Sequence, residues 1–302
     1  MTWDQPTADR QLPRSGLTHP AFLQRLESLV LFCRRVLAGN LQSRRASSRR
    51  GAGIVYADHA DYHPGDDIRA VDWRILGKRD ELSVRLFERE EEATLHLLLD
   101  CSRSMHSKRL LSLQLAAALG YIALAGYDRV ALYGLGAKLR PLQTPMHGRG
   151  RALSLLRLLE SCPLADADSD LEQSLRGFLA KRPRRGVCVL ISDGLFPGGF
   201  DRGLELLRAS KQQATFLQVQ DPADLRCDWR GDVDLCCVET GQRRQLTIGQ
   251  AEADSYQALI EDWDRRLATS CLRNAVNLRR CSIADPFDQV VRELIMAGGL
   301  VA

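Results

Sequence analysis

The chain has 302 residues, of which 45% are hydrophobic and 26% charged, and its formal net charge is +4. That composition supports a full apolar core without metal or disulfide staples, and the charge is too mild to argue for nucleic acid on bulk electrostatics. The nine cysteines are odd in number, irregularly spaced and without a C-x-x-C pair, which favours reduced, buried thiols over a disulfide framework.

Residues 1–19 are polar, lack an apolar signal core and read as a flexible N-terminus. No stretch approaches the roughly 20 apolar residues of a membrane helix, so no membrane span and a cytoplasmic location are expected. Residues 20–38 predict a helix, with Phe22, Leu26, Leu29, Val30, Cys33 and Leu37 at three- and four-residue steps and Gly39 as the stop. A basic linker, 40–51, follows with Arg44, Arg45, Arg49 and Arg50. It has no interleaved aromatics for base stacking, so it reads as solvated and no nucleic acid is expected. Residues 52–93 are dense in charge yet carry Tyr62, Trp73, Leu82, Val84 and Leu86, which a merely solvated stretch would not need. Together 20–93 are expected to form an extension packed on a main domain, 94–302.

From residue 94 onward strands and helices alternate. Buried strands are predicted at 94–100, 129–135, 186–192 and 214–219. Helices are predicted at 108–125, 149–160, 170–181 and 201–211, and a polar β-like section at 226–248. Tyr256, Leu259, Ile260, Trp263 and Leu267 form a helical stripe. A last helix starts at Asp285-Pro286 with Phe287, Val290, Val291, Leu294 and Ile295 on its apolar face. The alternation predicts an α/β fold, a mostly parallel sheet with helices on both faces.

Ligands of such sheets bind at the carboxyl ends of strands. Behind LHLLL stands Asp100-Cys101-Ser102-Arg103-Ser104-Met105, and behind VCVLIS stands Asp193-Gly194. Alternate positions of a tight loop can aim a carboxylate and two hydroxyls at one point, a hard-oxygen set suited to Mg²⁺ or Mn²⁺. Ser102 and Ser104 could equally serve as helix caps; the second acidic loop at Asp193 favours the metal reading.

D-x-S-x-S-M with a later I-S-D-G resembles the metal-ion-dependent adhesion site of von Willebrand A domains. That resemblance implies a third loop with threonine. Here Asp168-Ser169-Asp170-Leu171 stands in its place, keeping a hydroxyl at Ser169 but replacing the usual glycine by Asp168. A longer match runs through Tyr62, His63, Pro64, Gly65, Asp66, Asp67, Ile68, Arg69, Ala70, Val71, Asp72, Trp73 and Arg74. It is similar to the Y-x-P-G-D-D-x-R-x-I-D-W signature of the bacterial family known as domain of unknown function fifty-eight. Glu81-Leu82-Ser83-Val84-Arg85, the acidic run 88–92, Asp221-Pro222-Ala223-Asp224 and Glu239-Thr240-Gly241 follow in the family's order; His59 departs from its usual arginine. The resemblance implies a von Willebrand A-like fold and an adaptor or co-chaperone role beside a MoxR-type AAA+ ATPase or its client, with no established catalysis.

The signature residues Tyr62, Pro64, Gly65, Asp66, Asp67, Arg69, Asp72 and Trp73 read as an internally paired clasp that could also dock a partner. Cys227, Cys236, Cys237 and Cys271 lack zinc-ligand spacing and read as buried thiols. The expectation is thus a non-enzymatic, Mg²⁺- or Mn²⁺-dependent interaction module, with Asp100, Ser102, Ser104, Ser169 and Asp193 as ligands. Two rivals stand beside it. One is a metal-dependent phosphoester hydrolase using His106 as base, with Cys101 and His106 as the nearest nucleophile pair. The other is a structural scaffold whose metal site is unused.

Overall fold

The computed structural model describes residues 16–47, 59–61, 83–85, 94–126, 128–163 and 169–298. The chain divides into two compact units, one of Met1–Cys33 with Ala93–Ala302, the other Arg34–Glu92. In the smaller unit two short strands, β1 (His59–Asp61) and β2 (Ser83–Arg85), pair antiparallel with His59 opposite Arg85. The signature residues Tyr62 to Trp73 lie outside the described residues, as does Asp168.

The larger unit is built on a six-stranded sheet. Its strands are β3 (Thr94–Asp100), β4 (Arg129–Leu135), β5 (Arg140–His147), β6 (Gly186–Ser192), β7 (Gln213–Gln220) and β10 (Asn277–Ser282), in the order β10-β7-β6-β3-β4-β5. All neighbours are parallel except β4 and β5. All seven residues of β3 are buried, as expected of a central strand covered on both faces. This is the α/β, mostly parallel arrangement expected from the alternating pattern, and it agrees with the von Willebrand A-like fold that the resemblance implied. The chain runs from β3 to β4 and β5 on one side, then crosses to β6 on the other. The topological switch point therefore lies between the tips of β3 and β6.

Successive β3 side chains enter opposite cores. Leu98 packs with Phe178, Phe196, Phe200, Phe216 and Leu267, beneath α4 (Leu171–Ala180), α5 (Asp201–Ala209) and α6 (Gln250–Arg273). Leu97 faces α2 (Arg109–Ala125), which packs against α3 (Ala152–Glu160) and α7 (Phe287–Met296). Close approach fixes Gly120 of α2: a Cβ there would lie 2.4 Å from Leu155 Cδ2 and 3.5 Å from Leu97 Cδ1. The first half of α1 (Pro20–Ser47) closes this side, with Leu26 and Leu29 fully buried and the Phe22 and Phe287 rings 4.9 Å apart.

Several elements differ from expectation for physical reasons. Helix α1 continues through Gly39 to Ser47, since an isolated glycine costs a helix only about 1 kcal/mol and the following Leu, Gln and Arg are good helix formers. Leu17 is buried within the stretch read as loose, anchored where the Thr18 amide donates to Glu160 Oε1 at 3.1 Å. The polar section 226–248 is a separate antiparallel hairpin, β8 (Gly231–Cys236) and β9 (Arg243–Ile248). Because that hairpin forms its own two-stranded sheet, Cys236 and Cys237 are exposed and Cys227 is half-buried, contrary to their reading as core thiols; Cys271 is buried.

His96, inside β3, donates from Nε2 to the Arg184 carbonyl at 3.0 Å and meets the Phe178 ring edge-on. Burial holds its imidazole below the ordinary histidine range, against the Arg184 hydrogen bond. A depressed folded value means the unfolded chain takes up the proton first, so stability is complete above about pH 6.5 and falls as pH drops towards the folded value. Denaturant titrations from pH 8 to pH 5 should show this decline, and His96→Phe should flatten it.

Candidate metal centre

Strand register builds the centre. Asp100 ends β3 opposite Leu135 of β4, and Leu99 is opposite Ile191 of β6, so Ser192 comes beside the Asp100 carboxylate. Ser192 Oγ donates to Asp100 Oδ2 at 2.6 Å, while the Ser102 amide and Ser169 Oγ donate to Oδ1 at 3.0 and 2.5 Å. Ser169 is delivered by the anchored start of α4. The Asp170 amide and Ser174 Oγ both donate to the Gly136 carbonyl, at 2.9 and 3.1 Å, and Asp170 Oδ1 caps the helix at the Gln173 amide. Ser102 Oγ and Ser104 Oγ are 3.0 Å apart. The structure thus joins Asp100, Ser102 and Ser169 directly, and Ser104 through Ser102.

Asp193 is engaged differently. Its Oδ1 accepts the Leu195 amide at 3.0 Å, and its Oδ2 pairs with Lys108 Nζ at 3.0 Å. Lys108 is 2% exposed; it also reaches Asp224 Oδ2 at 2.5 Å and the Ser104 carbonyl at 3.1 Å. Burial pulls the ammonium's pKa down, but the Asp193 and Asp224 charges outweigh it and the net shift is upward. Asp100 has no such cation among the described residues. Burial pushes its carboxyl above the ordinary range, and the Asp193 charge adds to this, while the Ser169, Ser192 and Ser102 bonds oppose it.

The solvent side is closed by the β7–α6 insertion. Asp224 comes from the segment before β8. Glu239, in the β8–β9 turn, accepts the Arg103 amide at 3.1 Å and the Ser104 amide at 2.6 Å, one on each carboxylate oxygen. Lys108, Asp224, Glu239 and Ser192 were not singled out as site residues from the sequence. Asp224 and Glu239 had a signal, since both fall in segments that follow the family order. Lys108 had no distinguishing signal, since it stands beside Arg109 at the start of an otherwise apolar helix.

A model of the family described as Protein of unknown function DUF58 matches residues 58–264. The chain is a DUF58 protein. A Mycobacterium tuberculosis relative, described as uncharacterized, is 29% identical over 254 residues, covering 80% of this chain and 79% of that one. A Mycobacterium avium relative is 32% identical over 111 residues, 36% of this chain and 65% of that one. Among solved structures, the conserved hypothetical protein BatB from Bacteroides thetaiotaomicron aligns at 13% identity over 68% of this chain and 98% of its own, with a TM-score of 0.41. A von Willebrand factor type A protein from Catenulispora acidiphila aligns at 14% identity over 68% and 42%, with a TM-score of 0.40.

The donors of this DUF58 site suit a small hard cation. No group of three or more His, Cys, Asp or Glu side chains that could hold a metal occurs among the described residues; the side-chain oxygens bonded to Asp100 are the Ser169 and Ser192 hydroxyls. The 3.0 Å between Ser102 Oγ and Ser104 Oγ matches the roughly 3 Å between adjacent ligands of an octahedral ion with bonds near 2.1 Å. Among the described residues Asp100 is a buried carboxylate bonded by neutral donors, and a divalent ion would offset its charge.

The Lys108 pair makes a separate prediction. Lys108→Met removes the cation and leaves Asp193 buried without its charge partner, which costs about 3–5 kcal/mol. Chemical denaturation at pH 7 should show that loss, whereas substituting the exposed Arg202 should change stability by less than about 0.5 kcal/mol.

Proposed function

We propose that this DUF58 chain is a Mg²⁺- or Mn²⁺-dependent protein-interaction module, working as adaptor or co-chaperone to a MoxR-type AAA+ ATPase or its client, and not an enzyme. Asp100 carries the reading: a buried carboxylate at the switch point, surrounded by hydroxyls and lacking a cation of its own among the described residues. Asp100, Ser102 and Ser104 would hold the ion, with Ser169 as the further hydroxyl and Asp193 acting through water beside Lys108. The ATPase assignment comes from the family resemblance.

Room at the site favours a receptor over a reaction chamber. The cavity beside Asp100, Met105 and Ser112 measures about 10 Å³, and that beside Lys108, Asp193 and Trp263 about 20 Å³. Each holds about one water, far below the several hundred Å³ of a small-molecule pocket. A larger cavity of about 720 Å³, lined by Leu272, Leu278, Arg279 and Leu294, lies along edge strand β10, away from these residues. His106, the base a hydrolase would need, is exposed, and the Cys101 thiol donates to the Leu99 carbonyl and faces Cys162 instead. The Arg103 and Ser104 amides, which hold the Glu239 carboxylate, support a partner's acidic side chain as the incoming group.

Thermal unfolding with and without Mg²⁺ or Mn²⁺ checks the metal claim. At 100 times the dissociation constant the ion should add about 2.7 kcal/mol, and Asp100→Ala should abolish the gain; equal gains in both proteins would remove the claim. Capture of a purified MoxR-type ATPase should fall on adding EDTA and with Asp100→Ala. Glu239→Ala, which frees the two amides, should strengthen capture several-fold.

A further inference from the structure

Two thiols meet beside the oxygen cluster without taking part in it. Cys101 directly follows Asp100 and Cys162 follows α3; their sulfurs are 3.9 Å apart, and the residues are 1% and 3% exposed. Two guanidinium groups converge on the Cys162 end. Arg109 of α2 donates to the Cys162 carbonyl, and Arg140 of β5 donates to the Pro163 carbonyl at 3.5 Å. The contact with the Cys101 sulfur, helped by the Arg109 and Arg140 charges, holds the Cys162 thiol below the ordinary thiol range against burial. Elsewhere in the core burial dominates: Cys188, Cys271 and Cys281 are each pushed up to about 12.

We propose that Cys101 and Cys162 are a peroxide-sensitive modification site, closing to a reversible disulfide that ties the loop behind Asp100 to the end of α3 and weakens the cation site. The coupling to the cation rests on the reading above; the disulfide itself does not. The Cys162 thiolate attacks one peroxide oxygen, forming an S–O bond as the O–O bond breaks, and the departing hydroxide takes a proton to become water. Cys101 then attacks the sulfenic sulfur. The S–S bond forms, the S–O bond breaks, and the Cys101 proton leaves with the hydroxyl as a second water. Two thiols are oxidised and one peroxide is reduced. Closing the 3.9 Å gap to the roughly 2.05 Å of a disulfide draws Cys101 and Cys162 together, and Cys101 directly precedes Ser102 in the loop behind Asp100. Burial makes the reaction slow, paced by local opening.

The full chain, treated with hydrogen peroxide and alkylated after denaturation, is mapped by mass spectrometry. A linked peptide pair joining residues 101 and 162 is expected, absent from Cys162→Ser and reversed by dithiothreitol. Oxidation confined to the exposed Cys236 and Cys237, with residues 101 and 162 still alkylatable, overturns the disulfide. The oxidised protein should lose most of its Mg²⁺-induced thermal shift and regain it on reduction; an unchanged shift overturns the coupling. If the reduced protein shows no Mg²⁺ shift at all, the cation reading and the coupling fail together, and the linked peptide still decides the disulfide.

Discussion

A carboxylate buried at the tip of a central strand has to find its hydrogen-bond donors within a few ångströms, and at Asp100 three chain segments meet to supply them. Ser102 comes from the same loop, Ser192 from the neighbouring strand and Ser169 from the start of α4. None of these donors carries charge. Neutral bonds stabilise an ionised carboxylate but do not cancel its desolvation, and the carboxyl is accordingly shifted upward. The arrangement costs stability that an apolar strand tip would not, which is usual where a protein keeps a group ready for a ligand.

The same end of the sheet contains the opposite solution. Asp193, just past the tip of the adjacent strand, is matched by the buried ammonium of Lys108, itself shared with Asp224. One acid is matched by a cation and the other is not, among the described residues. This asymmetry is what the proposed cation reading rests on, since in a purely structural ion-pair network each acid would have its own cation. No group of three or more His, Cys, Asp or Glu side chains that could hold a metal occurs among the described residues, and the proposed site accordingly combines the Asp100 carboxylate with hydroxyls.

Legibility in the sequence followed burial. Strands β3, β4, β6 and β7 announced themselves as apolar runs because helices cover both of their faces. Edge strands β5 and β10 did not. Pro141 and Pro145 in β5 look like turn residues, and an edge strand tolerates them because it lacks a neighbour on one side. In β10 the run Asn277–Ser282 has a single buried residue, Cys281, so no hydrophobic pattern marks it. At the site, residues adjacent to the strand tips could be named from the motif. The bonds made by Ser192, Lys108, Asp224 and Glu239 depend on which strands are neighbours and on where an insertion folds back, and local spacing carries neither.

The insertion between β7 and α6 gives the site its direction. Without it, the Arg103 and Ser104 amides at the start of a short turn would face solvent. With it, Glu239 takes one amide on each oxygen while its own hairpin stays largely exposed. A carboxylate so held is bound by two neutral hydrogen bonds at the rim, each worth about 1.5–3 kcal/mol with a charged acceptor. An incoming acid can make the same two bonds, so exchange at these amides is nearly neutral in energy. Any additional attraction, such as an ion held by Asp100, then decides the direction of exchange. Under the proposed function the hairpin would not have to unfold for a partner to bind; it would only have to yield one side chain.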